Sequence, residues 1–122
     1  MVAKLDHLGA GAFIKSEGNG DISRETIVIA SGNGKLFAGT VLGKITASGK
    51  YKPYDNDNTD GSQTAAAILV YDVDATSSDV TTVGLVRFAE VWTNRLVWAA
   101  SVAGGEKAPA YVELAAANVF VR

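Results

Sequence analysis

Three aspartates, Asp55, Asp57 and Asp60, crowd with Asn56 and Asn58 into "DNDNTDG". Oxygen ligands at alternate positions before a glycine are the pattern of a calcium loop. An EF-hand loop needs ligands at its first, third and fifth positions, a glycine at the sixth and a glutamate at the twelfth. Counted from Asn56, Asn58, Asp60 and Gly61 fall into place, but the twelfth residue is Ala67, which has no oxygen to offer. Counted from Asp55, the glycine position holds Asp60. Both registers fail, and the stretch reads as an exposed Asx-rich turn feeding a strand. No metal is expected.

Other chemistries fare no better. Gly34 and Gly39 have the spacing of a phosphate-binding loop, but Thr40 stands where the lysine belongs. Gly39 to Gly43-Lys44 supplies the lysine one residue too early, and Ile45 lacks the magnesium-binding hydroxyl. The lone histidine, His7, has no neighbours in sequence that would hold it as a base or ligand. The 13 acidic residues are spread along the chain, so carboxylate pairs carry little information. Asp72 and Asp74 alternate with Tyr71, Val73 and Ala75, the face pattern of a half-buried strand. Trp92 and Trp98 suit a core or an interface more readily than a ligand platform. The expected protein is not an enzyme, needs no cofactor and takes no small-molecule substrate.

The elements that must position these residues are short. The chain has 122 residues, one ordinary domain, with a net charge of -2. That charge argues against nucleic acid and gives no help towards an acidic membrane. No apolar run is long enough to span a bilayer, and "MVAKLDHLGAG" lacks the apolar stretch of a signal peptide. The absence of cysteine excludes disulfides and suits synthesis and folding in a cytoplasm. Residues 1–25 read as a flexible arm with one apolar island, Ala12-Phe13-Ile14. Residues 26–122 read as a single domain. Strands are expected at Thr26–Ala30, Leu36–Ile45, Val80–Ala89, Val91–Ala100 and the terminal "VFVR", joined by glycine turns. Ala65–Val73 reads as a buried strand, or as a short helix running into one. "AGGEKAP" reads as a loop, with a short helix starting at Pro109 and ending at Asn118. The fold class is mainly β with one short C-terminal helix.

Four stretches, in order, resemble the lambda-type bacteriophage head decoration family: "SEGNGDISRETIVIASG", "LFAGTVLGKITASGKYKPYD", "DGSQTAAAILVYDVDAT" and "RFAEVWTNRLVW". The opening "MVAKLDHLGAGAFIK" carries none of this resemblance. The resemblance implies a small β-clip or β-tulip-like domain with a flexible N-terminal arm. It implies a homotrimer on the outer surface of the virion, at three-fold and quasi-three-fold positions of the expanded capsid. There it stabilises the shell against the pressure of packaged DNA. The partners are then the major capsid protein and the chain itself. Strand addition to a capsid edge would draw on Phe13, Ile14, Ile22, Ser23, Arg24, Glu25, Ile27 and Ile29. On that reading, deleting residues 1–25 leaves a folded trimer that no longer binds capsid. Trp92, Trp98 and Phe120 are candidates for the trimer interface, with plain core packing the alternative. Two other readings stay open. One is a tail tube or head-completion protein; the other is a small carbohydrate-binding β domain using Trp92 or Trp98.

Overall fold

A computed structural model describes residues 10–102 and 104–122. Ten strands and one helix follow in order: β1 (Ile14–Glu17), β2 (Arg24–Ile29), β3 (Gly34–Leu36), β4 (Val41–Lys44), β5 (Tyr51–Pro53), β6 (Ala65–Leu69), β7 (Val73–Ala75), β8 (Val80–Leu85), β9 (Ala89–Val91), α1 (Gly104–Ala116) and β10 (Val119–Val121). The mainly-β class with a single helix near the C-terminus is as expected from the sequence.

Strands β2, β5, β4, β6 and β8 close into a barrel. Closure hides the backbone groups that an open edge would expose. Strands β1, β9 and β10 form a separate three-stranded sheet, and β3 pairs with β7 as a small ribbon. In that three-stranded sheet β1 runs antiparallel to β9, and β10 parallel to it.

Two cores result. Ile27, Ile29, Leu42, Tyr51, Ala67 and Leu69 fill one, with Leu36, Ala75 and Val86. Phe13, Val41, Tyr54, Ile68, Val70, Leu85, Val91, Leu114 and Val119 belong to the other, which joins the barrel to the helix and the three-stranded sheet. Ile68 and Val70 therefore face one core while Ala67 and Leu69 face the other. A strand buried on both faces shows no polar alternation. That is why "AAAILV" reads as an unbroken apolar run that also suits a helix.

The helix begins at Gly104, five residues before the expected start at Pro109, so "GGEKA" is helical and not loop. Proline lacks the N–H that would reach back one turn, and its ring crowds the preceding carbonyls. The Tyr54 hydroxyl donates to the Glu106 carbonyl beside this defect at 2.9 Å. Burial pushes the Tyr54 hydroxyl pKa upward, keeping it a donor. At the far end Asn118 takes φ 64 and its N–H reaches the Ala115 carbonyl at 2.9 Å, the left-handed stop that asparagine tolerates. Glu113 accepts from the Ala65 N–H at 2.8 Å and so fixes the helix to the start of β6.

Residues 13–25 are built into this fold. Phe13 is 2 % exposed, the Trp92 N–H donates to its carbonyl, and β1 lies along β9 from Ile14 to Glu17. The folded domain thus includes residues that the sequence reading assigned to a separate arm. Their scattered glycines hide a strand whose partner lies more than 70 positions away, Ser16 facing Glu90.

Candidate interaction surface

The alternation in "FAEVW" decides which side chains reach the outside of the three-stranded sheet. Ala89 and Val91 point inward, at 5 % and 0 % exposure. Phe88, Glu90 and Trp92 share the opposite parity and reach solvent or its margin. In β10, Val119 is buried and Phe120 points out. The register between Ile14 and Ser16 of β1 is shifted by a bulge, which re-aims side chains at a sheet edge.

Most of the outward charges have partners within the face. Arg122 donates to Glu90 at 2.8 Å, and the Ser16 hydroxyl donates to the other carboxylate oxygen at 2.8 Å. These bonds, Arg122 first, hold the Glu90 carboxyl below the usual glutamate range. Lys15 lies over the Trp92 ring and Arg122 over the Phe120 ring, at 5.4 Å each. Arg24 and Glu17 form a two-pronged pair at 3.0 and 2.8 Å. A cleft of about 510 Å³ runs between Gly18, Phe88 and Phe120.

Phe88 has φ 53, an uncommon backbone region for a bulky residue. Its carbonyl is held by the Ser23 hydroxyl at 2.8 Å and the Gly18 N–H at 3.0 Å. Ser23 is fully buried and also accepts from the Gly18 N–H, so both ends of the β1–β2 turn hold the Phe88 backbone. Four of the large exposed apolar residues, Ile22, Phe88, Trp92 and Phe120, gather on this side. Large apolar side chains gathered on one exposed face point to contact with another macromolecule.

The sequence candidates divide. Phe13, Ser23, Ile27 and Ile29 are buried, so their side chains pack the fold. Ile14 and Arg24 are half-buried, while Ile22 and Glu25 are exposed, Glu25 paired with Arg87 at 2.7 Å. Trp92 and Phe120 lie on the one face, each 38 % exposed. Trp98 does not join them. It is wedged edge-on against Tyr54 and Tyr111, at 6.1 and 5.8 Å, under Lys107. Phe88 and the Glu90–Arg122 pair escaped the sequence reading, although the parity of "FAEVW" places Phe88 and Glu90 beside Trp92. His7 and the rest of residues 1–9 lie outside the described residues.

The acidic loop is a structural turn. Asp55 accepts from the Asp57 N–H at 2.9 Å and from the Ser101 hydroxyl. Asp55, Asp57 and Glu106 bring one oxygen each within 4.8 Å of one another; the residues are partly or fully exposed, although the Glu106 Oε2 atom itself is buried without a hydrogen-bond partner.

The described residues form a small β domain with a closed barrel and a separate three-stranded sheet that carries exposed aromatics on its outer side. Residues 4–119 match the family of bacteriophage lambda head decoration protein D, and the chain belongs to that family. No curated protein matches the chain. Membership places it with the proteins that decorate the outside of the phage capsid, a structural family and not a family of enzymes.

Proposed function

We propose that this protein is a capsid cement. It binds as a homotrimer at the three-fold and quasi-three-fold positions of the expanded head and holds neighbouring capsid subunits together against the pressure of the packaged DNA. The observation that carries the reading is family membership over residues 4–119. The outer face of the β1–β9–β10 sheet supplies a contact for the trimer. Its aromatics are exposed, Glu90 is paired with Arg122 and Ser16, and the Lys15 ammonium rests on the Trp92 ring, which lowers the cost of burying the face against another copy. Trp92 and Phe120 serve as trimer contacts, joined by Phe88, while Trp98 packs the helix. Capsid contact falls to the segment ahead of β1 together with the outer edge of β1. That edge is unpaired among the described residues and can take a further strand.

Two measurements test the reading. Light scattering after size exclusion should give a mass near three chains, whereas a hexamer or larger ring points to a tail or connector part. Expanded, DNA-filled heads lacking their decoration should take up the protein and then resist heating or chelation better than bare heads. Unchanged head survival at full occupancy refutes the cement role.

A further inference from the structure

We propose that Asn19–Gly20 is a site of spontaneous covalent modification, in which the asparagine amide is lost and a carboxylate appears in the turn between β1 and β2. The chain contains two Asn-Gly pairs, Asn19–Gly20 and Asn33–Gly34. Glycine is the residue that permits this chemistry, because no β-carbon shields its nitrogen from the preceding side chain. The fold treats the two pairs differently.

Asn19 is exposed, and among the described residues its side chain has no hydrogen-bond partner and the Gly20 N–H has no acceptor. A β-carbon on either Gly20 or Gly34 would meet nothing within 4 Å, so space does not separate the two pairs and hydrogen bonding does. The bond nearest the pair, from the Ile22 N–H to the Asn19 carbonyl, is stretched to 3.5 Å. Asn33 is tied down instead. Its side-chain nitrogen donates to the Ala30 carbonyl at 2.8 Å and its N–H to the Ala75 carbonyl at 3.2 Å. Gly34 is already the first residue of β3, paired opposite Ala75.

The reaction needs only water and hydroxide. Hydroxide removes the Gly20 amide proton, and the nitrogen attacks Cγ of Asn19, forming a C–N bond. The side-chain nitrogen takes a proton from water and leaves as ammonia, closing a succinimide. Water then opens the ring. Addition at Cγ breaks the new bond and leaves an aspartate at position 19. Addition at the backbone carbonyl carbon breaks the original peptide bond, so the chain runs through the side chain as an isoaspartyl link. Either product sets a new negative charge between Glu17 and Asp21, at the rim that carries Ile22 and Phe88.

The test is peptide mass mapping of the full chain after incubation in mildly alkaline buffer, once folded and once in denaturant. Trypsin separates the two pairs, cutting after Lys15, Arg24 and Lys35. In the folded protein, conversion at Asn19 should exceed conversion at Asn33 by more than an order of magnitude, and it should rise with pH. In denaturant the two should react at similar rates. Asn19→Gln should abolish the Asn19 product, and Gly20→Ala should slow it. Equal rates at the two pairs in the folded protein, or an Asn19 that stays intact while Asn33 reacts, overturns the proposal.

Discussion

A β-carbon on Gly43 would sit 2.3 Å from the Ser62 carbonyl oxygen and 2.5 Å from the Ser62 Cα. A β-carbon on Gly61, at φ +110, would sit 2.3 Å from the Thr46 Oγ1 and 2.6 Å from the Lys44 carbonyl. The turn "DGS" is therefore pressed onto β4, backbone against backbone. Gly43→Ala should cost about 1–3 kcal/mol or more, because backbone cannot move aside as a flexible side chain can; urea unfolding measures it. Asp60 ties the same turn. It accepts the Ser62 N–H at 3.0 Å and the Ser62 hydroxyl at 2.5 Å, and it pairs with Lys52 at 3.3 Å. These bonds, Ser62 first, lower its pKa from 3.8 to about 2. A carboxylate depressed by folding stabilises the folded state above its unfolded value and loses that contribution as pH falls through the folded one. The contribution is thus complete above 3.8 and fades towards about 2. Thermal unfolding followed by circular dichroism should show a steeper loss across this window for the natural protein than for Asp60→Asn. Identical acid slopes would show that Asp60 does not report folding.

Strand β1 illustrates the same accounting for a whole element. Phe13 anchors it, and truncating a large buried aromatic costs about 3–5 kcal/mol. Phe13→Ala should therefore destabilise the domain by about that amount in denaturant unfolding. Deletion of residues 1–9 should leave the unfolding midpoint close to that of the full chain and weaken capsid binding. Deletion of residues 1–17 should lower stability sharply, because it strips β1 from β9 and Phe13 from the core. A stable domain lacking residues 1–17 would show that β1 is an appendage. Strands β2, β4 and β8 of the barrel were legible in the sequence, since β-branched runs such as "TIVI" and glycine turns need only local information; β5, three residues ending in a proline, was not, and β6 read equally as a helix. Strand β1 was not, because its partner is distant in sequence and its local composition is that of a loop. The start of α1 was hidden for a different reason. Gly104, Gly105 and Pro109 are all poor helix residues, and tertiary contacts override them: Ala110 and Leu114 are fully buried, and Tyr54 binds the Glu106 carbonyl. The outer face was half legible. Trp92 and Phe120 stood out as large aromatics, but that Trp98 packs inward depends on Tyr54 and Tyr111, which only the fold brings to it.

For the whole molecule, the proposed cement role requires modest contacts to resist a pressurised shell. An exposed aromatic face of this size, with most of its charges already paired, gives moderate affinity for another copy and little cost of burying charge. If three chains join as proposed, their capsid contacts act together, and avidity of this kind exceeds single-site affinity by about 10² to 10⁴. The face and the capsid contact can therefore be separated by mutation. Replacing Trp92 and Phe120 together by serine removes two aromatics that are each 38 % exposed, so circular dichroism and urea unfolding must first show that the variant stays folded. Light scattering should then show the mass fall from three chains to one. Capsid affinity should drop by the avidity factor of about 10² to 10⁴, although every residue of the segment ahead of β1 is intact. Val112→Ser is the matched control: Val112 is 71 % exposed but lies on α1, away from the face, so mass and capsid binding should both hold. A double variant that remains trimeric would move the trimer contact elsewhere on the surface. A monomeric variant that binds heads as tightly as the natural protein would show that a single chain suffices and that trimerisation adds nothing to cementing.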